Sequence, residues 1–248
     1  MTDIKETPVR TDRRSFLGHA AVAGVGLIGA SLLAGCGGSS SSSPSGTPRG
    51  TGSASQVSVN SAEVARAFQS IQLDEQNHVK YLVAALGSNA RPVPTFSADA
   101  LTAPDINTFI ANAAALENTG TGAYLAAVPL PALTAQPTIL QAAAAVAIVE
   151  GRHAGFLNSL LNRPLLTDPN SNDSTEPNND SLEVPQPPSQ VAQRAAPFLT
   201  GANLNGGPGI PSDSAIQSAS LTDILNYALL LEYLEMDFYN INVPQFFG

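Results

Sequence analysis

The chain has 248 residues, of which 43% are hydrophobic and 12% are charged, and its formal net charge is −9. This composition indicates one medium-sized globular domain with tails, and the negative charge argues against nucleic acid or anionic lipid headgroups as partners. The single cysteine excludes an internal disulfide.

Residues 1–35 have the features of a twin-arginine export signal. Arg13 and Arg14 precede Ser-Phe-Leu and an apolar run over residues 20–34 that glycines interrupt. The run is too short for a stable membrane helix, so we expect export rather than a membrane span. The segment holds four basic and three acidic residues, which leaves a formal charge of −10 on the rest of the chain.

The apolar run ends in Leu-Ala-Gly-Cys, with Cys36 as the only cysteine. This ending is similar to a lipobox, which predicts cleavage before Cys36 and acylation of its thiol. A small buried cysteine is the weaker alternative. Residues 36–57, rich in Ser, Gly and Pro, then predict a flexible tether. The expected location is the cell envelope, with a lipid anchor in the membrane and the domain on the periplasmic or another extracytoplasmic face.

Residues 58–248 contain four long segments in which apolar residues recur every three or four positions, as in the helices of a bundle. The segments begin near residue 60, at Thr102, at Pro137 and at Ser220. The fold class predicted is therefore all-α, a four-helix bundle.

The third and fourth segments are separated by a long connection. Residues 164–219 are dense in Pro, Asn, Asp, Ser and Gly and show no sustained period. We expect a surface loop there, with a helical turn near residues 191–199.

Two of the segments carry the same motif at core positions. Glu75 with His78, and Glu150 with His153, each place a carboxylate and an imidazole about 60° and ~4.5 Å apart on one helix face. The third histidine of the chain, His19, lies in the signal. Every histidine of the domain thus belongs to such a pair, which favours a metal site over a coincidence of solvated or satisfied core residues.

The other two segments also match each other. Glu117 and Tyr124 are seven residues apart, as are Glu232 and Tyr239, so each tyrosine lies on the same stripe as its glutamate. Its hydroxyl could bond a facing carboxylate behind the metal ligands, or it could lie at a bundle end as an interface aromatic.

Glu235 has no counterpart in this repeat, because the corresponding position is Gly120. It could be a spare ligand, a base behind the ligands or a rim charge.

Charge balance agrees with two divalent ions. Four seam glutamates supply four negative charges, and without metal they would repel one another and bind protons. The predicted metal ligands are Glu75, His78, Glu117, Glu150, His153 and Glu232.

This pattern resembles the ferritin-like di-metal carboxylate superfamily, in which two bundle helices supply one Glu each and two supply Glu-x-x-His. The stretches "DEQNHVKYL", "ALENTGTGAYL", "AAAVAIVEGRHAGFL" and "LNYALLLEYLEMDFY" resemble exported ferritin-like proteins of the desiccation-related type. The resemblance covers nearly all of residues 58–241 except the long connection.

The resemblance includes one departure in helix order. The helix that "LNYALLLEYLE" resembles normally comes first in that family, and here it comes last, so the chain looks circularly permuted. The linkers are long enough to allow this, because residues 89–103 can span roughly 50 Å when extended. The alternative is a homodimer in which the last helix completes a neighbouring subunit.

The resemblance implies two transition-metal ions, iron first and manganese second, and redox chemistry such as ferrous iron oxidation or peroxide reduction. Two alternatives stay open. One is a non-catalytic structural or stress-associated bundle with structural ions. The other is a metal-free bundle whose glutamates share protons or are hydrated.

Overall fold

We analysed a computed structural model, which describes Val59, residues 61–165 and residues 182–248. The described part contains helices and a single isolated β-bridge, between Thr95 and Asn203. The predicted all-α class is confirmed. The twin-arginine pair, Cys36 and the tether lie outside the described residues.

Four long helices form the bundle, and four short ones connect them. The long helices are α1 (Ala62–Leu86), α3 (Ile106–Ala127), α5 (Pro137–Leu160) and α8 (Leu221–Phe247). The short helices are α2 (Ala98–Leu101), α4 (Pro131–Thr134), α6 (Pro188–Leu199) and α7 (Asp213–Gln217). A 3₁₀ turn, Gly87–Asn89, follows α1.

Local capping chemistry sets where the long helices begin. The side chain of Ser220 accepts from the backbone N–H of Asp223, whose carboxylate accepts from the backbone of Ser220 in return, so α8 starts with a capping box. α5 begins at Pro137, where proline needs no hydrogen-bond partner for its nitrogen. α3 begins at Ile106 rather than at Thr102, because the Asp105 carboxylate caps its first turn.

The bundle consists of two helix pairs, α1 with α8 and α3 with α5. In the first pair, Phe68 near the start of α1 stacks on Phe247 at the end of α8, so the two helices run antiparallel. In the second, the side chains of Asn118 and Asn158 are hydrogen-bonded at one end, and Ala123 packs with Ala143 toward the other. The last helix of the chain therefore packs within the same chain.

The expected helical turn near residues 191–199 lies within a longer helix, and a second short helix, α7, occupies part of the connection that was expected to be a loop. α6 spans three turns and buries Val191, Ala195 and Phe198 against the bundle, and α7 buries Ile216. The two short helices are joined because Asp213 accepts hydrogen bonds from the backbone N–H and the hydroxyl of Ser189.

Within the described residues, none of the helices combines the length and the hydrophobicity needed to cross a membrane.

Candidate metal centre

Each long helix contributes one glutamate to the centre of the bundle. Glu75, Glu117, Glu150 and Glu232 are each at most 1% exposed. Burying four carboxylates without compensating charge costs several kcal/mol per ion, on the order of the Born penalty after relaxation. The helix register that the apolar residues impose therefore creates a strongly unfavourable charge cluster, which calls for cations or protons.

Two groups of metal-ligating side chains meet in this cluster. In each group the ligand atoms lie within 4.8 Å of one another. The first group comprises Glu75, His78, Glu150 and Glu232, and the second comprises Glu75, Glu117, Glu150 and His153. All six predicted ligands are thus brought together, and Glu75 and Glu150 belong to both groups. The two groups could therefore hold two ions with Glu75 and Glu150 in common.

The histidines enter the cluster through Nδ1. His78 Nδ1 lies 3.2 Å from carboxylate oxygens of Glu75, Glu150 and Glu232. His153 Nδ1 lies 3.1 Å from Glu75 Oε1 and 3.2 Å from Glu117 Oε2. Each imidazole thus faces the oxygens that share its own ligand group.

Each predicted tyrosine bonds the glutamate of the opposite helix. Tyr239 on α8 donates its hydroxyl to Glu117 Oε1 at 2.5 Å, and Tyr124 on α3 donates to Glu232 Oε1. Both tyrosines are buried. Each hydrogen bond occupies Oε1 of its glutamate and so fixes the orientation of that carboxylate. The other oxygen, Oε2, then faces a histidine, His153 for Glu117 and His78 for Glu232.

Some buried carboxylate oxygens form no well-aligned hydrogen bond among the described residues, although His153 Nδ1 lies 3.1 Å from Glu75 Oε1 and His78 Nδ1 lies 3.2 Å from Glu150 Oε1. These oxygens are Glu75 Oε1 and both oxygens of Glu150. These two glutamates are the ones that both ligand groups share. An unsatisfied buried oxygen is costly, and a metal ion would satisfy it, so the residues fit a pair of oxygen-preferring transition-metal ions.

Burial and mutual repulsion shift the acid–base behaviour of the metal-free cluster. Burial, with repulsion from Glu117, raises the pKa of Glu75 to about 7. Burial and then Glu75 raise the pKa of Glu150 well above its ordinary value. Burial lowers the pKa of His153, but the nearby carboxylates of Glu117 and Glu75 outweigh this and raise the pKa to about 11. The pKa of His78 is raised in the same way, because the carboxylates of Glu150, Glu232 and Glu75 outweigh the effect of burial.

Glu235 is a fifth buried carboxylate and lies beside Glu150. A Cβ at Gly120 would lie 2.8 Å from Glu150 Oε2 and 3.3 Å from Glu235 Oε1. Glycine at position 120 therefore makes the room that both side chains occupy. Burial, with repulsion from Glu150, raises the pKa of Glu235 well above its ordinary value. Glu235 is thus buried at the centre and not a rim charge.

Asp74 is a partner that the sequence reasoning missed. Its Oδ2 lies 3.3 Å from His153 Nε2, the ring nitrogen that faces away from the cluster. A carboxylate on the outer nitrogen of a metal-binding histidine orients the ring and increases its basicity. The signal in the sequence was its position directly before Glu75, but the contact joins two helices and could not be assigned without their packing.

A surface groove of about 490 Å³ opens between α1 and α5 next to this contact. Asp74, Arg152 and His153 line it together with small and apolar side chains. The side chain of His153 is 9% exposed and that of Asp74 is 42% exposed. The groove therefore ends at a residue of the cluster and gives solvent a short route toward it.

Comparison with known proteins agrees with this geometry. A sequence model of the family described as the ferritin-like domain matches residues 45–163, just under half of the chain. No curated protein and no solved structure matches the chain significantly. The matched stretch includes α1, α3 and α5, whereas α8 with Glu232 follows it. The match and the helical architecture together support the ferritin-like superfamily, and the chain has the fold of an all-α ferritin-like bundle.

Proposed function

We propose that this chain is an exported, lipid-anchored protein that binds two iron or manganese ions and uses them to oxidise ferrous iron or reduce peroxide in stress protection. The observation that carries the proposal is the pair of ligand groups that share Glu75 and Glu150. Four carboxylates and two imidazoles form a mainly oxygen-donor set, which suits iron and manganese better than thiolate-preferring ions.

The protein's own residues would divide the work at such a centre. Glu75, Glu117, Glu150 and His153 would hold one ion, and Glu75, His78, Glu150 and Glu232 would hold the other. Two reduced ions, each giving up one electron, would supply the two electrons that convert one hydrogen peroxide and two protons into two waters. The groove beside His153 offers a small oxidant a way in.

The anchor and the export route are part of the same proposal. Arg13 and Arg14 support twin-arginine export, and Cys36 supports acylation. We expect Cys36→Ser to move the protein from the membrane fraction to the soluble fraction of the envelope. Retention of the variant in the membrane fraction would contradict a lipid anchor.

We also propose that the helix order is permuted relative to the desiccation-related ferritin-like proteins that the sequence resembles. Two observations support this order. The family match ends at residue 163, and the helix that supplies Glu232 begins 58 positions later, at Leu221. That helix nevertheless packs against α1, at the start of the domain.

The redox function can be tested on the full chain after anaerobic loading with ferrous iron. We expect one hydrogen peroxide to be consumed for every two ferrous ions oxidised, and Glu117→Gln to slow the reaction severely. Bound ions that react with neither peroxide nor oxygen would contradict the redox proposal and favour a non-catalytic, stress-associated bundle with structural ions.

A further inference from the structure

A second pocket lies away from the carboxylate cluster, where α6 and α7 close over α3 and α8. Its volume is about 180 Å³. None of the six predicted metal ligands lines it, and its walls are mainly apolar. They include Ala123 on α3, Leu130 directly before α4, Ile216 on α7, and three prolines at or just before the start of α6, Pro185, Pro187 and Pro188. An engineered apolar cavity of ~150 Å³ accommodates benzene, so this pocket has room for one small ring.

Two residues that line the pocket each carry one buried polar atom without a hydrogen-bond partner among the described residues. These atoms are the hydroxyl of Tyr227 and Oε1 of Gln186. Tyr227 is 7% exposed and Gln186 is 1% exposed. A buried polar atom without a partner is costly, and two of them on one apolar pocket indicate that a bound molecule supplies the partners.

Gln186 is held rigidly with its oxygen free. Its backbone N–H donates to the carbonyl of Gly122 at 2.9 Å, and its side-chain Nε2 donates to the carbonyl of Asn118 at 3.0 Å. A Cβ at residue 122 would lie 2.5 Å from Gln186 Cγ, so only glycine allows this close approach. The backbone N–H and one N–H of the side-chain amide thus fix Gln186 on α3, and Oε1 is left as a fixed acceptor.

The other two polar residues that line the pocket, Asp213 and Gln217, are exposed at its rim. The two oxygens of Asp213 accept from Ser189 at 2.8 and 2.6 Å. Burial, with the negative charge of Asp213, raises the pKa of Tyr227, which keeps its hydroxyl a neutral donor. The buried part of the pocket therefore offers one donor and one acceptor and carries no charge.

We propose that this pocket binds a small neutral molecule with an apolar ring or chain and at least one hydroxyl group, about the size of phenol. A hydroxyl group can accept from Tyr227 and donate to Gln186 Oε1, whereas a carboxylate cannot donate and an ammonium cannot accept. The apolar body of the ligand fills the space between the alanine, leucine, isoleucine and proline side chains.

The pocket adjoins the metal centre through a smaller cavity of about 30 Å³. Tyr227 and Ala123 line both spaces, and Tyr124, which bonds Glu232, lines the smaller one. The ligand would therefore lie close to the centre but would not touch its ligands. Binding at the pocket is expected to leave metal content unchanged, which separates this proposal from the redox one.

The test uses the full chain and two probes of similar size, phenol and toluene, titrated by calorimetry. We expect phenol to bind at least tenfold more tightly than toluene. Tyr227→Phe should reduce this preference about tenfold with little effect on toluene, while Tyr81→Phe, at an exposed tyrosine, should change neither.

A second variant, Ala126→Leu, tests the pocket independently in case Tyr227→Phe does not fold. Ala126→Leu adds volume to the pocket wall and should abolish binding of both probes while metal content stays at the wild-type value. Equal binding of phenol and toluene, no binding of either, or phenol binding that Tyr227→Phe leaves unchanged would overturn the proposal.

Discussion

The space between Glu150 and Glu235 exists because residue 120 is glycine. A methyl group there would lie 2.8 Å from Glu150 Oε2, and Glu150 cannot retreat without leaving both ligand groups. We therefore expect Gly120→Ala to reduce metal content by at least half and to destabilise the protein, although alanine normally favours a helix by about 1 kcal/mol. Elemental mass spectrometry and thermal unfolding measure both effects.

Gly155→Ala is the matched control, because it also lies within a bundle helix and a Cβ there would have no neighbour within 4 Å. It should keep its metal and gain up to about 1 kcal/mol of stability. If Gly120→Ala behaved like Gly155→Ala, the close packing around Glu150 would be refuted.

The hydroxyl of Tyr239 holds a carboxylate in place. Removing it by Tyr239→Phe leaves Glu117 Oε1 without its donor, which should cost about 1–3 kcal/mol of stability and weaken metal binding roughly 10- to 100-fold. Metal affinity is measured by competition with a chelator, and Tyr81→Phe at an exposed position is the control. Unchanged affinity in Tyr239→Phe would show that this hydrogen bond does not orient Glu117.

At the level of single residues, the sequence predicts which side chains share one face of a helix better than it predicts which side chains touch between two helices. The seven-residue spacing from Glu117 to Tyr124 led to a tyrosine facing a carboxylate, and the structure shows that the partner is Glu232 on the other helix of the same type. The contact between Asp74 and His153 has no such repeat. It depends on the separation of α1 and α5, which the chain's local pattern does not encode.

At the level of helices, boundaries were predictable where capping chemistry is local. Pro137 and the Ser220–Asp223 capping box mark the starts of α5 and α8. The length of α6 was underestimated as a single helical turn. The helix has only 12 residues, it starts at Pro188 directly after Pro187, and it contains a further proline, Pro197. Its buried residues become a helix face only in contact with the bundle, so tertiary packing decides its structure.

Phe198 tests whether α6 is part of the folded core. It is 6% exposed and packs edge-on against Phe238, with ring centroids 5.9 Å apart. We expect Phe198→Ala to lower the free energy of unfolding by about 3–5 kcal/mol in urea titrations. Leu182→Ala, at a residue that is 68% exposed, is the control and should change stability by less than about 0.5 kcal/mol. Equal small effects in both variants would mean that α6 is a dispensable surface segment.

For the whole molecule, the charge cluster makes stability depend on pH more strongly without metal than with it. In the metal-free protein the pKa of Glu75 is raised from 4.5 to about 7, and that of His153 from 6.5 to about 11. The folded state thus binds more protons than the unfolded state between pH 4.5 and 11. Metal-free stability should fall as pH rises through this window, by on the order of a few kcal/mol.

Metal ions replace these protons, so the loaded protein should lose much less stability over the same range, and metal affinity should increase with pH. Thermal unfolding between pH 5 and pH 9, with and without a chelator, measures the difference. Identical pH profiles for the two forms would contradict a centre in which metal and protons compete.

The bundle as a whole joins parts of the chain that are far apart in sequence. Glu75 and Glu232 are separated by 157 positions, yet both belong to one ligand group. The four-helix architecture and the identity of these residues could be predicted from periodicity. The assignment of ligands to two groups could not, because it depends on how the two helix pairs pack against each other.

The most direct test of a two-ion centre is metal content, measured by elemental mass spectrometry on the full chain after anaerobic loading with iron or manganese. We expect about two transition-metal ions per chain in the wild type and in Glu63→Gln, whose side chain is exposed at the start of α1. We expect a large loss in Glu150→Gln, which removes a shared ligand, and in Glu232→Gln on the last helix. A wild-type chain without bound metal, or Glu150→Gln and Glu232→Gln variants that retain both ions, would contradict a two-ion centre.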